Sequence, residues 1–62
     1  MVPPFDIFKV LDGEPVWVEA IATLEDAKTR VRELMLSDTR EYLILSQVTG
    51  NKISVKPGTA SP

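Results

Sequence analysis

The segment Val16–Ala27, VWVEAIATLEDA, changes from the pattern of a strand to that of a helix at Thr23. Before Thr23 the segment is rich in β-branched and aromatic residues around Trp17, a composition that favours a strand. After it come two acidic residues, and a threonine that precedes acids in a first turn is typical of a helix start. The sequence therefore predicts a strand that is followed at once by a helix.

The predicted helix extends from Thr23 to the Ser37-Asp38 pair, which is about four turns. Its apolar residues recur at helical spacing and form one stripe, made of Leu24, Ala27, Val31, Leu34 and Met35. A helix with a single apolar stripe buries it against another element, here a sheet.

A predicted hairpin precedes the helix, with strands over residues 5–11 and 16–22 around Asp12-Gly13. Glycine takes a positive φ at little cost, which suits a tight turn. A two-residue loop would pair Phe8 with Trp17, and a four-residue loop would shift every pair by two. Both alternatives give the same two faces, because side chains alternate with a period of two.

A second predicted hairpin follows the helix, and its first strand covers Glu41–Gln47. We expect a three-residue loop that ends at Gly50, because this register pairs Leu45 with Ile53 and sorts the apolar residues well. The same register places Tyr42 and Ile44 on the opposite face of the sheet.

These elements predict an α+β fold of ββαββ type, with one helix packed on a four-stranded sheet. We expect the antiparallel order 2-1-3-4, because the first and third strands are the most apolar. The β-grasp order 2-1-4-3 is the alternative. Residues 1–4 are predicted to be an extended lead-in, residues 5–56 the domain, and residues 57–62 a disordered tail rich in proline, glycine and small polar residues.

The first hairpin divides into two faces. One carries mainly aliphatic residues and Ala20, which suits close approach of the helix: Phe5, Ile7, Leu11, Val16, Val18 and Ala20. The outer face would carry Phe8, Val10, Trp17 and Ile21, with Asp6 and Glu19 among them. The inverted assignment, with Phe8, Val10 and Trp17 under the helix, stays open at this point.

Composition excludes several classes of chemistry. The 62 residues contain neither cysteine nor histidine, which excludes a thiol nucleophile, a disulfide framework and an imidazole base. Asp6 and Glu19 are the best candidates for a carboxylate pair that does acid–base chemistry. Two solvated acids on an open sheet face explain them better. The cluster Asp12-Gly13-Glu14 is better explained as a turn than as a metal site. We therefore expect no enzyme activity, no cofactor and no metal.

The charge and the termini bear on partners and location. The net charge of −2 argues against nucleic acid as the main partner. No run is apolar enough for a membrane span, and the N-terminus lacks a signal-peptide pattern, so we expect a cytoplasmic protein. The basic residues of the helix and its C-terminal flank, Lys28, Arg30, Arg32 and Arg40, could bind an anion, although a solvated helix face explains them better.

An apolar outer face predicts an interaction surface. The sequence thus predicts a non-enzymatic interaction or scaffolding domain that forms a homodimer or binds an unknown protein partner. The alternative is weak binding of single-stranded nucleic acid, with bases stacked on the aromatic rings. The residues expected to carry either interaction are Phe8, Val10, Trp17, Tyr42 and Ile44.

Three motifs resemble those of small uncharacterised bacterial ββαββ domains. They are the tryptophan strand Val16-Trp17-Val18, the helix start Thr23-Leu24-Glu25-Asp26-Ala27, and the segments Glu41-Tyr42-Leu43-Ile44 and Val48-Thr49-Gly50 of the closing hairpin. The resemblance extends from Phe5 to Val55 and implies the same fold. It implies no activity and no functional residue.

Overall fold

The computed structural model describes residues 3–57, which form two β-hairpins with a helix between them. The elements in chain order are β1 (Phe5–Leu11), β2 (Glu14–Ile21), α1 (Leu24–Ser37), β3 (Tyr42–Ser46) and β4 (Lys52–Val55). This order confirms the ββαββ prediction. The predicted lead-in and tail reach into residues 1–2 and 58–62, which lie outside the described residues.

The four strands form one antiparallel sheet in the order β2-β1-β3-β4. The predicted order is therefore confirmed, and the β-grasp alternative is not the arrangement found. The apolar strands β1 and β3 are central, where neighbours cover both of their edges. The edge strands carry Pro15 in β2 and Lys52 in β4, residues that discourage further strand pairing.

The first hairpin closes through the two-residue loop. Asp12 and Gly13 have φ values of 51° and 83°, and Leu11 pairs with Glu14. Positive φ at both central residues is the property of a type I′ turn, which matches the twist of the strands it joins. The same register pairs Phe8 with Trp17.

A register shift interrupts the β1–β2 ladder between Ile7 and Phe8. Beyond it Ile7 lies opposite Glu19, and Phe5 lies opposite Ile21. The extra residue turns Ile21 toward the helix, where it packs against the core, and turns Ala20 to the outer face opposite Asp6, so the predicted faces of both residues are wrong.

Helix α1 begins and ends as the sequence predicts. The Thr23 hydroxyl accepts a hydrogen bond from the backbone N–H of Asp26 at 3.1 Å, and this satisfies one donor of the first turn. At the other end the N–H of Asp38 donates to the carbonyl of Leu34 at 2.8 Å. Ala27 and Val31 of the apolar stripe are fully buried against the sheet.

The second hairpin has a different register from the predicted one. Ile44 pairs with Ile53 and Leu45 with Lys52, so the loop holds four residues, 47–50. The Ser46 N–H donates to the Asn51 carbonyl at 2.9 Å, and the Gly50 N–H donates to the Ser46 carbonyl at 2.7 Å. Because side chains alternate, this one-residue change reverses the faces of β3 relative to β4.

Tyr42 and Ile44 are therefore in the core, and their predicted place on the outer face is wrong. Each is 1% exposed, and they pack with Ile7, Ala27 and Val31 beneath the helix. The Tyr42 hydroxyl donates to the Asp38 carbonyl at 3.0 Å, at the end of α1. The buried ring thus keeps a partner for its one polar atom, as burial of a phenol requires.

Candidate functional site: the outer face of the sheet

The face of the sheet opposite α1 carries an apolar patch. It is formed by side chains that alternate with the core residues on β1, β2 and β3. We call it the outer-face patch, and it consists of Phe8, Val10, Pro15, Trp17, Leu43 and Leu45. Phe8, Pro15, Leu43 and Leu45 also line a shallow depression of about 140 Å³ with Lys52 at its border.

Three of the five predicted interface residues, Phe8, Val10 and Trp17, lie on this face. The inverted assignment for β1 is excluded because Ile7, on its other side, is fully buried in the core. Leu43 and Leu45 take the places predicted for Tyr42 and Ile44. A four-residue loop would have predicted this exchange, because it pairs Ile44 with Ile53 and leaves Leu43 on the other side of β3, where it lies opposite Phe8.

The register sets the outward side chains in three rows across the four strands, read from β2 to β4. The first row is Ala20, Asp6, Leu45 and Lys52; the second is Trp17, Phe8, Leu43 and Ser54; the third is Pro15, Val10 and Glu41. Phe8 and Leu43 therefore occupy the centre, while charged residues lie at the ends of the central strands and at the β4 edge.

Trp17 is the most exposed aromatic residue of the patch, at 57%. Its indole Nε1 donates to Oδ1 of Asp6 at 3.3 Å, and the side chain of Gln47 donates to Oδ2 of the same carboxylate. The ring thus lies over the sheet with its polar atom paired, although more than half of its surface meets solvent.

Glu41 and Ser54 mark the opposite end of the face. The Ser54 hydroxyl donates to Oε2 of Glu41 at 2.7 Å, which shows that both side chains lie on the outer side. The carboxylates of Asp6 and Glu41 therefore stand at opposite ends of the patch, and Lys52 stands at the corner beside Leu45.

The structure separates the two carboxylates that were considered for acid–base chemistry. Asp6 lies on the outer face, whereas the register shift turns Glu19 to the side of Ile7 and the helix. There Glu19 accepts a hydrogen bond from Arg30 Nε at 3.0 Å. This bond and the charge of Glu19, followed by the bond to Glu33, raise the pKa of Arg30. The two acids therefore form no shared site.

The basic residues at the helix exterior do not converge either. Arg30 is engaged by Glu19 and Glu33, and Arg40 Nε donates to Asp38 Oδ1 at 2.7 Å. Lys28 and Arg32 share a shallow surface depression with Glu25 on α1. The four cations thus offer no single anion site.

Asp12 and Gly13 form the turn, and within residues 3–57 no three acidic side chains are placed to hold a metal ion.

A second groove lies on the helix side, between the start of α1 and the β3–β4 loop. Its volume is about 280 Å³, and Phe5, Leu24 and Ile53 form its apolar walls. No pattern in the sequence predicts this groove, because it depends on how far the helix covers β4. Its lining includes no titratable side chain, and its polar groups are the hydroxyls of Ser46 and Thr49 and the amide of Asn51.

Among the described residues no helix is long and apolar enough to cross a membrane. Comparisons with protein-family models, with curated proteins and with solved structures found no match to this chain.

Proposed function

We propose that this chain is a non-enzymatic interaction domain that associates with a second copy of itself through the outer-face patch. The observation that carries the proposal is an apolar sheet face, centred on Phe8 and Leu43 and flanked by the exposed Trp17. A one-layer sheet normally presents polar side chains to water on its uncovered side. Here the uncovered side carries two of the four aromatic residues, Phe8 and Trp17, together with aliphatic side chains.

The extent of the face supports an interaction of modest strength. Four strands spaced about 4.8 Å apart are about 19 Å wide, and the central strands are roughly 20 Å long. The whole face, with its charged and polar side chains included, has a flat area of roughly 400 Å², so the apolar patch within it covers a few hundred Å², a size that is often functional. The whole face is about half of what each partner buries in a standard interface. We therefore expect a dissociation constant in the micromolar to millimolar range.

Binding of single-stranded nucleic acid is less well supported than self-association. That alternative used Tyr42 as a stacking platform, and the ring is buried under α1 with its hydroxyl bonded to Asp38. Lys9 lies on the helix side, with its Nζ 3.6 Å from Asp38 Oδ2. Phe8, Trp17 and Lys52 remain on the outer face, beside the repelling carboxylate of Asp6.

Light scattering over a concentration series from about 10 μM to 2 mM tests the proposal, a range set by the weak affinity expected of a small interface. The variant is Leu43→Glu, which places a charge at the centre of the patch. The matched control is Leu36→Glu, the same change at a helix position that is 89% exposed. We expect the wild type and Leu36→Glu to dimerise alike and Leu43→Glu to remain a folded monomer, with folding checked by circular dichroism.

Two results would overturn self-association through this face. One is a wild type that stays monomeric up to the highest concentration. The other is equal loss of the dimer in Leu43→Glu and Leu36→Glu, because the added charge alone would then explain the effect. Binding of a mixed oligonucleotide at low salt by the monomeric wild type would favour the nucleic-acid alternative instead.

A further inference from the structure

We propose that the free edge of β4 binds an extended peptide, which adds a strand to the sheet and inserts an apolar side chain into the groove beside the helix. The peptide carries an acidic residue opposite Lys52 and an apolar residue opposite Ile53. Two independent features of the structure support such a site: the direction of the backbone groups of β4, and the groove that α1 leaves open. The site is separate from the self-association proposed above, which uses the outer face of the sheet.

Strand β4 directs the backbone groups of alternate residues away from the sheet. The Ser46 N–H donates to the Asn51 carbonyl at 2.9 Å, so residue 51 faces β3, and Ile53 does the same two positions further on. In an antiparallel ladder, residues that exchange hydrogen bonds with one neighbour alternate with residues that face the other side. Because β4 is at the edge of the sheet, Lys52 and Ser54 direct their N–H and C=O groups outward, where another strand can pair with them.

The helix side of β4 is open next to these groups. Helix α1 packs on β1, β2 and β3, and Ile53 of β4 is half-buried. The groove of about 280 Å³ extends from this side chain to Leu24 and Phe5. A strand added to β4 places every second side chain on the helix side, about 4.8 Å from its neighbour on β4. An apolar side chain opposite Ile53 therefore enters the groove.

The loop end of the groove has hydroxyl groups that can bind a peptide main chain. The Ser46 hydroxyl accepts a hydrogen bond from the Thr49 N–H at 3.3 Å, and the Thr49 hydroxyl accepts one from the Asn51 N–H at 3.2 Å. Each hydroxyl is the acceptor in its bond, so its own proton can donate to a carbonyl of the peptide.

The charges beside β4 favour one peptide sequence over another. Lys52 lies on the outer side of β4 beside Leu45, and the carboxylate of Glu41 accepts from the Ser54 hydroxyl at 2.7 Å. Oppositely charged cross-strand pairs attract, which favours an acidic residue opposite Lys52 and a basic residue opposite Ser54. A second copy of β4 is a poorer occupant, because an antiparallel pair of these strands places Lys52 of both copies on the same face.

The other edge strand of the sheet is less suited to such pairing. Pro15 of β2 has no N–H to donate, and the register shift between Ile7 and Phe8 interrupts the pairing of β2 with β1. Prolines and bulges both discourage the addition of a strand. The structure therefore favours β4 as the edge that receives the peptide.

A synthetic peptide, acetyl-Thr-Val-Lys-Leu-Glu-Val-Thr-amide, presents the favoured pattern when it pairs antiparallel to β4. Its leucine then lies opposite Ile53, its glutamate opposite Lys52 and its lysine opposite Ser54. The control peptide has the lysine and the glutamate exchanged and is otherwise identical. Amide NMR shifts of the isotope-labelled full chain measure binding. We expect a dissociation constant of about 1 mM for the first peptide and at least about threefold weaker binding of the control.

Hydrogen exchange and two variants locate the peptide at the edge. The amide N–H groups of Lys52 and Ser54 should exchange more slowly with solvent when the peptide is bound. Ser54→Pro removes one of these groups without removing a bond to β3, and it should abolish binding. The matched control is Ser54→Ala, which loses the same hydroxyl bond to Glu41 but keeps the N–H, and it should bind as the wild type does. If Ser54→Pro does not fold, N-methylation of the peptide's glutamate removes an equivalent bond from the other side.

The charge at position 52 gives a further test. Lys52→Glu should remove the preference of the protein for the first peptide over the control. Three results would overturn the proposal: equal binding of the two peptides by the wild type, the largest shifts at Phe8 and Leu43 on the outer face, or no shift up to about 5 mM peptide. Unchanged binding after both Ser54→Pro and N-methylation would contradict it as well.

Discussion

The indole Nε1 of Trp17 and Oδ1 of Asp6 form a hydrogen bond of 3.3 Å that crosses from the edge strand β2 to the central strand β1. The second oxygen of the same carboxylate accepts a hydrogen bond from Gln47 in the β3–β4 loop. One side chain therefore holds the exposed ring and also links the two hairpins. An orientated aromatic ring loses less conformational entropy on binding than a mobile one.

Replacement of Asp6 by alanine should release the Trp17 ring without unfolding the domain. The chain has a single tryptophan, so its fluorescence anisotropy reports on this ring alone. We expect lower anisotropy in Asp6→Ala than in the wild type, measured at a concentration where both are monomeric. Glu25→Ala, a change at an exposed helix position, is the control. Unchanged anisotropy in Asp6→Ala would show that packing alone orients the ring.

Gly13→Ala should destabilise the first hairpin through its backbone conformation. Gly13 has a φ of 83°, and nothing lies within 4 Å of the position that a Cβ would take. The loss therefore comes from the left-handed conformation, which costs an L-residue about 1–2 kcal/mol. Urea unfolding measures it. Gly13→Asn should lose less, because asparagine tolerates this region better, and equal losses would count against the assigned turn.

Stability should fall at high pH because of Tyr42. Burial, and next the charge of Asp38, raise the pKa of this phenol, while Arg40 lowers it. A raised pKa in the folded state means that the neutral form is favoured by folding. Its contribution is complete below the unfolded pKa of about 10 and is lost as the pH rises above it.

The measurement is the urea midpoint of the wild type and of Tyr42→Phe between pH 7 and pH 11. Tyr42→Phe should lose about 0.5–1.5 kcal/mol at neutral pH, because the hydrogen bond to Asp38 is gone. The gap between the two proteins should narrow above pH 10, since only the wild type has a phenol to ionise. A constant gap would contradict the raised pKa.

Local chemistry explains which parts of this fold could be predicted. The side chain of Thr23 itself caps the helix, and Asp12-Gly13 makes the turn because its backbone takes positive φ values. Both conformations are determined by the residues that adopt them. The register shift at Val18 has no comparable signal, since neither a glycine nor a break in the β pattern precedes it. It arises from fitting the strand against its neighbour and the helix.

The faces of β3 could not be predicted for a related reason. Tyr42, Leu43, Ile44 and Leu45 are all apolar, so alternation gives no indication of which pair is buried. Only the loop length decides it, and the three-residue and four-residue loops give opposite answers. Two of the five predicted interface residues were misplaced by this single residue of register.

The neighbours Leu43 and Ile44 therefore provide the sharpest test of the fold and the patch together. Ile44→Glu would bury an unpaired carboxylate beside Ile7 and Val31, at a position that is 1% exposed. A domain of this size has a net stability of only about 3–5 kcal/mol, so we expect Ile44→Glu to be unfolded. Leu43→Glu introduces the same group on the outer face and should leave the circular dichroism spectrum unchanged.

The two variants separate core from interface because they differ by one position along the same strand. A folded Ile44→Glu and an unfolded Leu43→Glu would mean that the three-residue loop is correct and that the patch contains Tyr42 and Ile44 instead. If both variants unfold, Leu43 is needed for stability, and the milder Leu43→Ser should then weaken association while the protein stays folded. Leucine at position 43 would in that case contribute both to the hairpin, through its contact with Phe8, and to the interface.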